Sequence, residues 1–406
     1  MATRQGAVLS KEEPMSVAVR FRRQRHVLAF AVLVYVLAIP VTSPAQLVIV
    51  GNDEKMTWDA AGKQVFLPPG KDTVSIIDIT SREAPTIVAS LPLMNSIIGP
   101  PTNLAITPDG RLAIVANALN WVPDGSAWKP EPDNRLYVIN LTTRPPRHIA
   151  TVEVGKQPSG LAINPRGDLL LVACREDKSI NVLAIQGDDV KLIDRVSVDD
   201  PVVHVVFTPD GNRALAAKFL THKVALLNVN GQQVTYAKYD MPTGLQPINI
   251  EVTPDGKLAL VANVGFSDGH VDIVSVIDLE AKPPRVIDHV VVGDAPEGLA
   301  MSPTGEFAIA VLLRASNQPK TAWYYNKNSS VVVLKIDGKK VTKIGEVEVG
   351  GLAEGVVFSP DGKYLYVGNY LDSDVSILKV DGTTVTDTGR RLQLPGHPAS
   401  MRGRAR

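Results

Sequence analysis

Counting back from a glycine that recurs along the chain aligns two sets of residues with chemical potential. The first set is Glu54, Thr102, Ser159, Val203, Ile248, Glu297 and Glu354; the next is Lys55, Asn103, Gly160, His204, Asn249, Gly298 and Gly355. Three carboxylates, two amides and an imidazole at equivalent places would converge wherever the repeats converge. A convergent polar set in a cavity is the usual signature of a binding site. Downstream, aligned positions read Pro68, Asn117, Cys174, Lys218, Asn263, Leu312 and Asn369, followed closely by Arg175, Arg314 and Tyr370. Arginine clamps carboxylate or phosphate through two parallel hydrogen bonds, so Arg175 and Arg314, with Lys218, are candidate anion contacts. Each has a plainer alternative. The glutamates could be solvated rim charges, and the cations could pair with neighbouring acids. His204 lies in the apolar run Val202-Val-His-Val-Val-Phe207, which suits packing between elements. No serine nucleophile elbow, helical zinc pair or phosphate loop occurs.

The elements that would hold these residues follow from the repeat. Pro-Asp-Gly stands at 108–110, 209–211, 254–256 and 360–362, with looser copies at 165–167, 303–305 and Ala60-Ala-Gly62. The seven glycines are spaced by 48, 57, 44, 45, 49 and 57 residues, a period that signals a propeller or stacked array. Proline presets φ, aspartate accepts a local backbone hydrogen bond and glycine takes φ > 0, giving a tight hairpin. Each turn is flanked by short apolar runs, four to a unit. The pattern predicts an all-β fold, a seven-bladed β-propeller of four-stranded blades spanning residues 46–406. Leu47–Gly51 reads as the end of a fourth strand, as does Leu392–Gly396, so both termini offer a strand to the closing seam. His397–Met401 resembles the start of another first strand.

Val115-Ala-Asn117, Val261-Ala-Asn263 and Tyr366-Val-Gly-Asn369, each downstream of Pro-Asp-Gly, resemble the YVTN β-propeller repeat over about residues 47–396. Blade 6, with Ala310-Val-Leu312, and blade 1, without Pro-Asp, depart from it. The resemblance implies either a non-enzymatic exported binding protein or a lactonase-type hydrolase. Regucalcin-like gluconolactonases, propellers of another blade count, are similar in pooling Glu and Asn around a divalent cation such as Ca2+. On that likeness Glu54, Asn103, Asn249, Glu297 and Glu354 would be the oxygen ligands, and the metal would polarise a lactone carbonyl.

In a four-stranded blade the links into strand one and between strands two and three emerge at one end, so the aligned residues share a channel mouth. Two long insertions belong to that end, 120–133 in blade 2 and 314–327 in blade 6. They carry Trp121, Trp128, Trp323, Tyr324 and Tyr325. Large aromatics in polar loops suggest two walls over the mouth, or simple anchors of each loop on its own blade.

Lys+Arg and Asp+Glu number 42 each, which excludes a broad nucleic-acid surface and leaves at most a local patch for a single strand. The lone Cys174 excludes an intrachain disulfide. Arg20, Arg22, Arg23 and Arg25 precede the 13-residue apolar run Val27–Ile39 and then Ser43-Pro-Ala45. The run is short of the ~20 residues of a span, so residues 1–45 read as a cleaved signal peptide, with Met15 an alternative start. The expectation is a periplasmic or secreted monomer without a membrane span, whose partner is a small molecule or a periplasmic protein.

Overall fold

The computed structural model describes residues 46–404; the proposed signal peptide lies outside the described residues. Among the described residues there is no helix, and seven four-stranded antiparallel sheets form seven blades. Blades 2 to 7 run in chain order from their innermost strands, Leu104–Ile106, Pro158–Ile163, Val202–Phe207, Pro247–Val252, Pro296–Met301 and Ala353–Phe358. These first strands pack each against the next, and His397–Gly403 closes the ring between Ala353–Phe358 and Leu104–Ile106.

The Pro-Asp-Gly turns form as the residue types dictate. In blade 2 the Gly110 N–H donates to the Thr107 carbonyl at 2.8 Å with Gly110 at φ 75°. The Asp109 carboxylate accepts from the Arg111 N–H at 2.9 Å and the Thr107 hydroxyl at 2.6 Å. A hydroxyl before the proline recurs at Thr208, Thr253 and Ser359, each donating to its turn aspartate. Burial alone would raise the Asp109 pKa, but the Thr107 and Arg111 hydrogen bonds outweigh it and bring it down to about 2.

Second strands are buried end to end, as at Leu169–Cys174, because neighbouring blades cover both faces. Alternation then assigns each face a partner. Leu170 and Val172 pack with Leu112 and Ile114 of blade 2, whereas Leu169 and Leu171 pack with Val205 and Phe207 of blade 4. Fourth strands are largely exposed, as at Asp189–Ser197.

Blade 1 departs from the sequence expectation. Leu47–Asp53 is its second strand, not the end of a fourth, and His397–Gly403 is its first, paired through Val50↔Met401 and Asp53↔His397. Ala60-Ala-Gly62 is not a blade turn. It is the tip of an inserted hairpin, Met56–Trp58 with Gln64–Phe66, standing between strands two and three. The aligned positions of blade 1 are therefore Ala399 and Ser400, in place of Glu54 and Lys55.

Candidate functional site

First strands enter the ring at its mouth, where the backbones of neighbouring blades come closest. Gly298 lies where a Cβ would meet the Glu354 carbonyl oxygen at 2.3 Å, and Gly160 where it would meet the His204 ring at 2.6 Å. These glycines let side chains of the adjoining blades fill the centre. Glu297 of blade 6 and Glu354 of blade 7 are both buried there, with no hydrogen bond or ion pair to a cation, and Glu354 Oε2 has no partner at all. Burial pushes the Glu297 pKa up to about 8. Burial and then the Glu297 charge raise Glu354 well above the carboxylate range. Two adjacent carboxyls that resist ionisation near neutrality are strained, and such groups cluster at functional sites.

Other polar atoms of the same ring are also left over. Thr102 Oγ1, Asn103 Oδ1 and Asn249 Oδ1 are buried without a donor, although Asn103 Nδ2 donates to the Ala116 carbonyl at 3.2 Å. His204 packs between blades as its apolar run suggests: Nδ1 accepts the Ile250 N–H at 3.0 Å, and Nε2 is unpaired. Burial, then the Arg402 charge, lowers its pKa well below the usual value and keeps it neutral. Thr102, Asn249, Gly298, Met401 and Arg402 border one narrow void in the channel, without room for a water molecule. Toward the other end Arg402 of blade 1 reaches Glu251 of blade 5 at 2.5 Å.

The mouth is capped. Three insertions meet over it, one more than the sequence indicated. Residues 112–140 form one extended hairpin rather than a loop, with Pro123 opposite Trp128 near its tip. Trp121 on this arm is buried and meets Phe66 of the blade 1 hairpin edge-to-face, with ring centroids 5.6 Å apart. Gly62, at that hairpin's tip, touches Gln318 and Pro319 of the blade 6 insertion. Met56, Ile97, Leu119 and Trp121 belong to one apolar cluster with Val203, Ile248 and Ala399 of the ring, and Trp128 packs against it. The aromatics thus form a plug, and it explains why Glu297 and Glu354 are out of water. Trp323 is the exception, strongly exposed beside the half-buried Tyr324.

The remaining candidates are engaged elsewhere. Lys55 is fully buried between Asp53, at 3.1 Å, and Asp72, and also donates to the Asn95 carbonyl. It anchors the hairpin base and lies 5.3 Å from the Trp121 ring centroid. Glu54 does not join the other two glutamates; it accepts the His397 N–H at 3.1 Å. Tyr370 is buried, donates to the Met56 carbonyl at 2.6 Å, and stacks on His397. Lys218 is held by Asp240 at 2.8 Å and Tyr236 at 3.0 Å. Arg314 ties its own loop through Asn326 and Glu348. Arg175 lies 4.9 Å over the Phe219 ring, and desolvation lowers its pKa. Among the described residues no group of three or more His, Cys, Asp or Glu converges as a metal site. The five proposed oxygen ligands are not gathered, since Glu54 is tied to His397. Cys174 is buried, and its thiol is pushed up to about 12 by burial, which makes it a poor nucleophile.

On the opposite end a cleft of about 460 Å3 opens between the turns of blades 6 and 7, lined by Glu306, Asp361, Lys363 and Lys379. None of its polar groups is buried without a partner.

Solved structures share this architecture. A Bacteroides uniformis protein named provisionally as a 6-phosphogluconolactonase aligns with a TM-score of 0.67 at 16% identity, over 89% of this chain and 100% of that one. The periplasmic gluconolactonase of Pseudomonas aeruginosa gives 0.65 at 19%, over 89% and 99%. Hydrazine synthase of Kuenenia stuttgartiensis gives 0.55 at 21%, over 71% and 79%. No family model and no curated protein matches the chain. At these identities the likeness carries the fold alone. The chain is a seven-bladed β-propeller.

Proposed function

We propose that this chain is an exported, YVTN-type propeller that binds a small, hydroxyl-bearing molecule in its channel mouth, beneath the three insertions. The observation that carries this reading is the Glu297–Glu354 pair, buried side by side without a cation while neighbouring acceptors lack donors. An unpaired buried polar group costs about 1–3 kcal/mol, so a chain keeps several together only where something else satisfies them. Thr102, Asn103, Asn249 and Glu354 offer acceptor oxygens, which suits a ligand with several O–H donors. The void that Thr102 and Asn249 border has no room for a water molecule while the cap is shut, so the ligand enters only when the cap lifts, and Trp58, Phe66 and Trp121 would then offer apolar faces to its carbon skeleton, a composition suited to a sugar, sugar acid or sugar lactone. Export is inferred from the basic cluster and short apolar run in residues 1–45. Isothermal titration with gluconate, glucono-δ-lactone and neutral polyols tests the site. Binding lost in Glu297→Gln, Glu354→Gln is expected; no binding by any of them removes the reading.

A second reading is lactone hydrolysis. Glu354, held well above the carboxylate range by burial and then by the Glu297 charge, would stay protonated and could donate to the ring oxygen as it leaves. Glu297, with its pKa near 8, would take a proton from the attacking water in its ionised form, so turnover should rise as pH approaches 8. The named activities of two structural neighbours favour this variant. Turnover of glucono-δ-lactone above the spontaneous rate, abolished by either Gln substitution, would separate it from binding alone.

A further inference from the structure

The capped channel is not the only feature of the mouth face. Large apolar side chains stand in the open on the links of blades 4, 5 and 6: Leu220 is 56% exposed, Leu245 45%, Phe266 63%, Val271 69% and Trp323 79%. They are neighbours through the backbone. The Thr243 N–H donates to the His222 carbonyl, which puts the Leu245 segment beside the Leu220 link. The Gly265 N–H donates to the Leu245 carbonyl at 3.2 Å, which brings Phe266 alongside. A Cβ at Gly269 would meet Tyr324 at 2.3 Å and Trp323 at 3.3 Å, so the blade 6 insertion closes onto the Phe266–Val271 link. The result is one sector of adjoining links that carries five exposed apolar side chains. Scattered exposed hydrophobics are ordinary, but a contiguous group headed by tryptophan marks an interaction surface.

Its charges favour one kind of partner. Asp268, Asp272 and Asp294 lie within this sector, and their side chains accept only backbone N–H groups among the described residues: His270 at 3.3 Å, Ala295 at 3.0 Å and Gly269 at 3.4 Å. Asp294 Oδ2 is buried and has no partner. The three repel one another. After burial, the Asp294 and Asp268 charges hold Asp272 up to about 6, and Asp268 raises Asp294. Arg314, Lys320 and Lys327 are the lysines and arginines on the same two segments; Arg314 is taken by Glu348, and none forms an ion pair with these acids, whose nearest imidazole is that of His270. A cation arriving from outside would relieve the repulsion. The same negative charge disfavours nucleic acid.

We propose that the Leu220–Leu245–Phe266–Val271–Trp323 sector is a docking surface for a partner protein segment carrying lysine or arginine beside aliphatic or aromatic side chains. This goes beyond the channel ligand and stands independently of it, since it uses none of the ring residues. Trp323 and Phe266 would be the anchors, and Asp268 and Asp294 would set the charge preference.

The test is selection of a phage-displayed random peptide library on the purified protein. Peptides combining Lys or Arg with Leu, Phe or Trp are expected. Their synthetic forms should bind at least tenfold more weakly to Trp323→Ala and to Phe266→Ser. Asp268→Asn with Asp294→Asn, or raising salt from about 0.05 to 0.5 M, should weaken binding further. Because Trp323 and Phe266 are exposed, their variants should keep the parent melting temperature, and Glu297→Gln should leave peptide binding unchanged. The proposal falls if no such peptides are selected, or if those selected are indifferent to Trp323→Ala. It falls equally if sedimentation shows Trp323-dependent self-association, since the occupant is then a second copy. Binding of CaCl2 that Asp268→Asn with Asp294→Asn removes would make the sector a cation site and would also overturn it.

Discussion

Like Asp272 and Asp294, and unlike the turn aspartate Asp109, Glu297 and Glu354 oppose folding when they ionise. Their folded pKa values lie above that of a free glutamate, so the folded state holds protons that the unfolded chain releases. Their contribution is complete below about pH 4.5 and is lost as pH rises toward about 8, the value reached by Glu297. Replacing both with glutamine should leave the melting temperature nearly unchanged at pH 4.5 and raise it by about 2 °C or more at pH 8. Scanning calorimetry at both values checks this, and a destabilised variant at pH 8 would show the pair to be structural. Lys55 presents the opposite case. It is a buried cation between two buried aspartates, and removing it leaves Asp53 and Asp72 unpaired. Lys55→Met should cost roughly 3–5 kcal/mol, read as a lower urea midpoint at constant slope.

At the scale of elements, the inserted hairpin Met56–Phe66 is the piece that shuts the channel. It rests on Trp121 from one side and on the Gln318–Pro319 stretch at its tip, and it is fixed to blade 7 through Tyr370. Replacing residues 57–66 with a short Gly-Ser link should leave the seven blades intact while admitting water to Glu297 and Glu354. The protonated-carboxyl band of the pair in infrared spectra should then titrate at lower pH than in the parent. An unchanged titration would mean that the ring itself, not the cap, keeps the pair dry. This hairpin was also the least legible element in the sequence. Its tip, Ala60-Ala-Gly62, has the spacing and glycine of a blade turn, although blade 1 has no such turn because its first two strands come from far ends of the sequence. The arm at 120–133 was hidden differently, since Pro123, Pro130 and Pro132 made a loop the natural reading of what is a hairpin.

For the whole molecule, the repeat made six blades legible because the turn is local: a proline followed two residues later by glycine carries it in all six, with a hydroxyl residue before the proline and aspartate after it in four. Ring closure was legible only in part: His397–Met401 has the pattern of a first strand, whereas nothing local in Leu47–Gly51 marks it as the second strand of the same blade. Val50 pairs with Met401 across some 350 residues, and no local pattern announces so distant a partner. Of the site, Glu297, Glu354, Asn103, Asn249 and His204 were found because alignment transfers position. Glu54 and Lys55 reached the same face through a faulty register. Two of the three insertions of the cap were legible from their aromatics, whereas the third was not, because the tip of its hairpin has the residues of a blade turn. A chain ending at Gly396 lacks the first strand of blade 1 and exposes the inner edge of Leu47–Asp53. It should melt as a whole, in one transition well below the parent, and adding the 397–406 peptide should restore the loss. Survival of six blades with an unchanged transition would contradict a cooperative ring.

The strand that completes blade 1 is made some 350 residues after the strand it pairs with. During synthesis the first-made strand therefore waits with an unpaired inner edge while six blades form beside it, and the clasp shuts only when His397–Gly403 arrives. That interval is when the growing chain offers a strand edge to proteases or to another copy of itself.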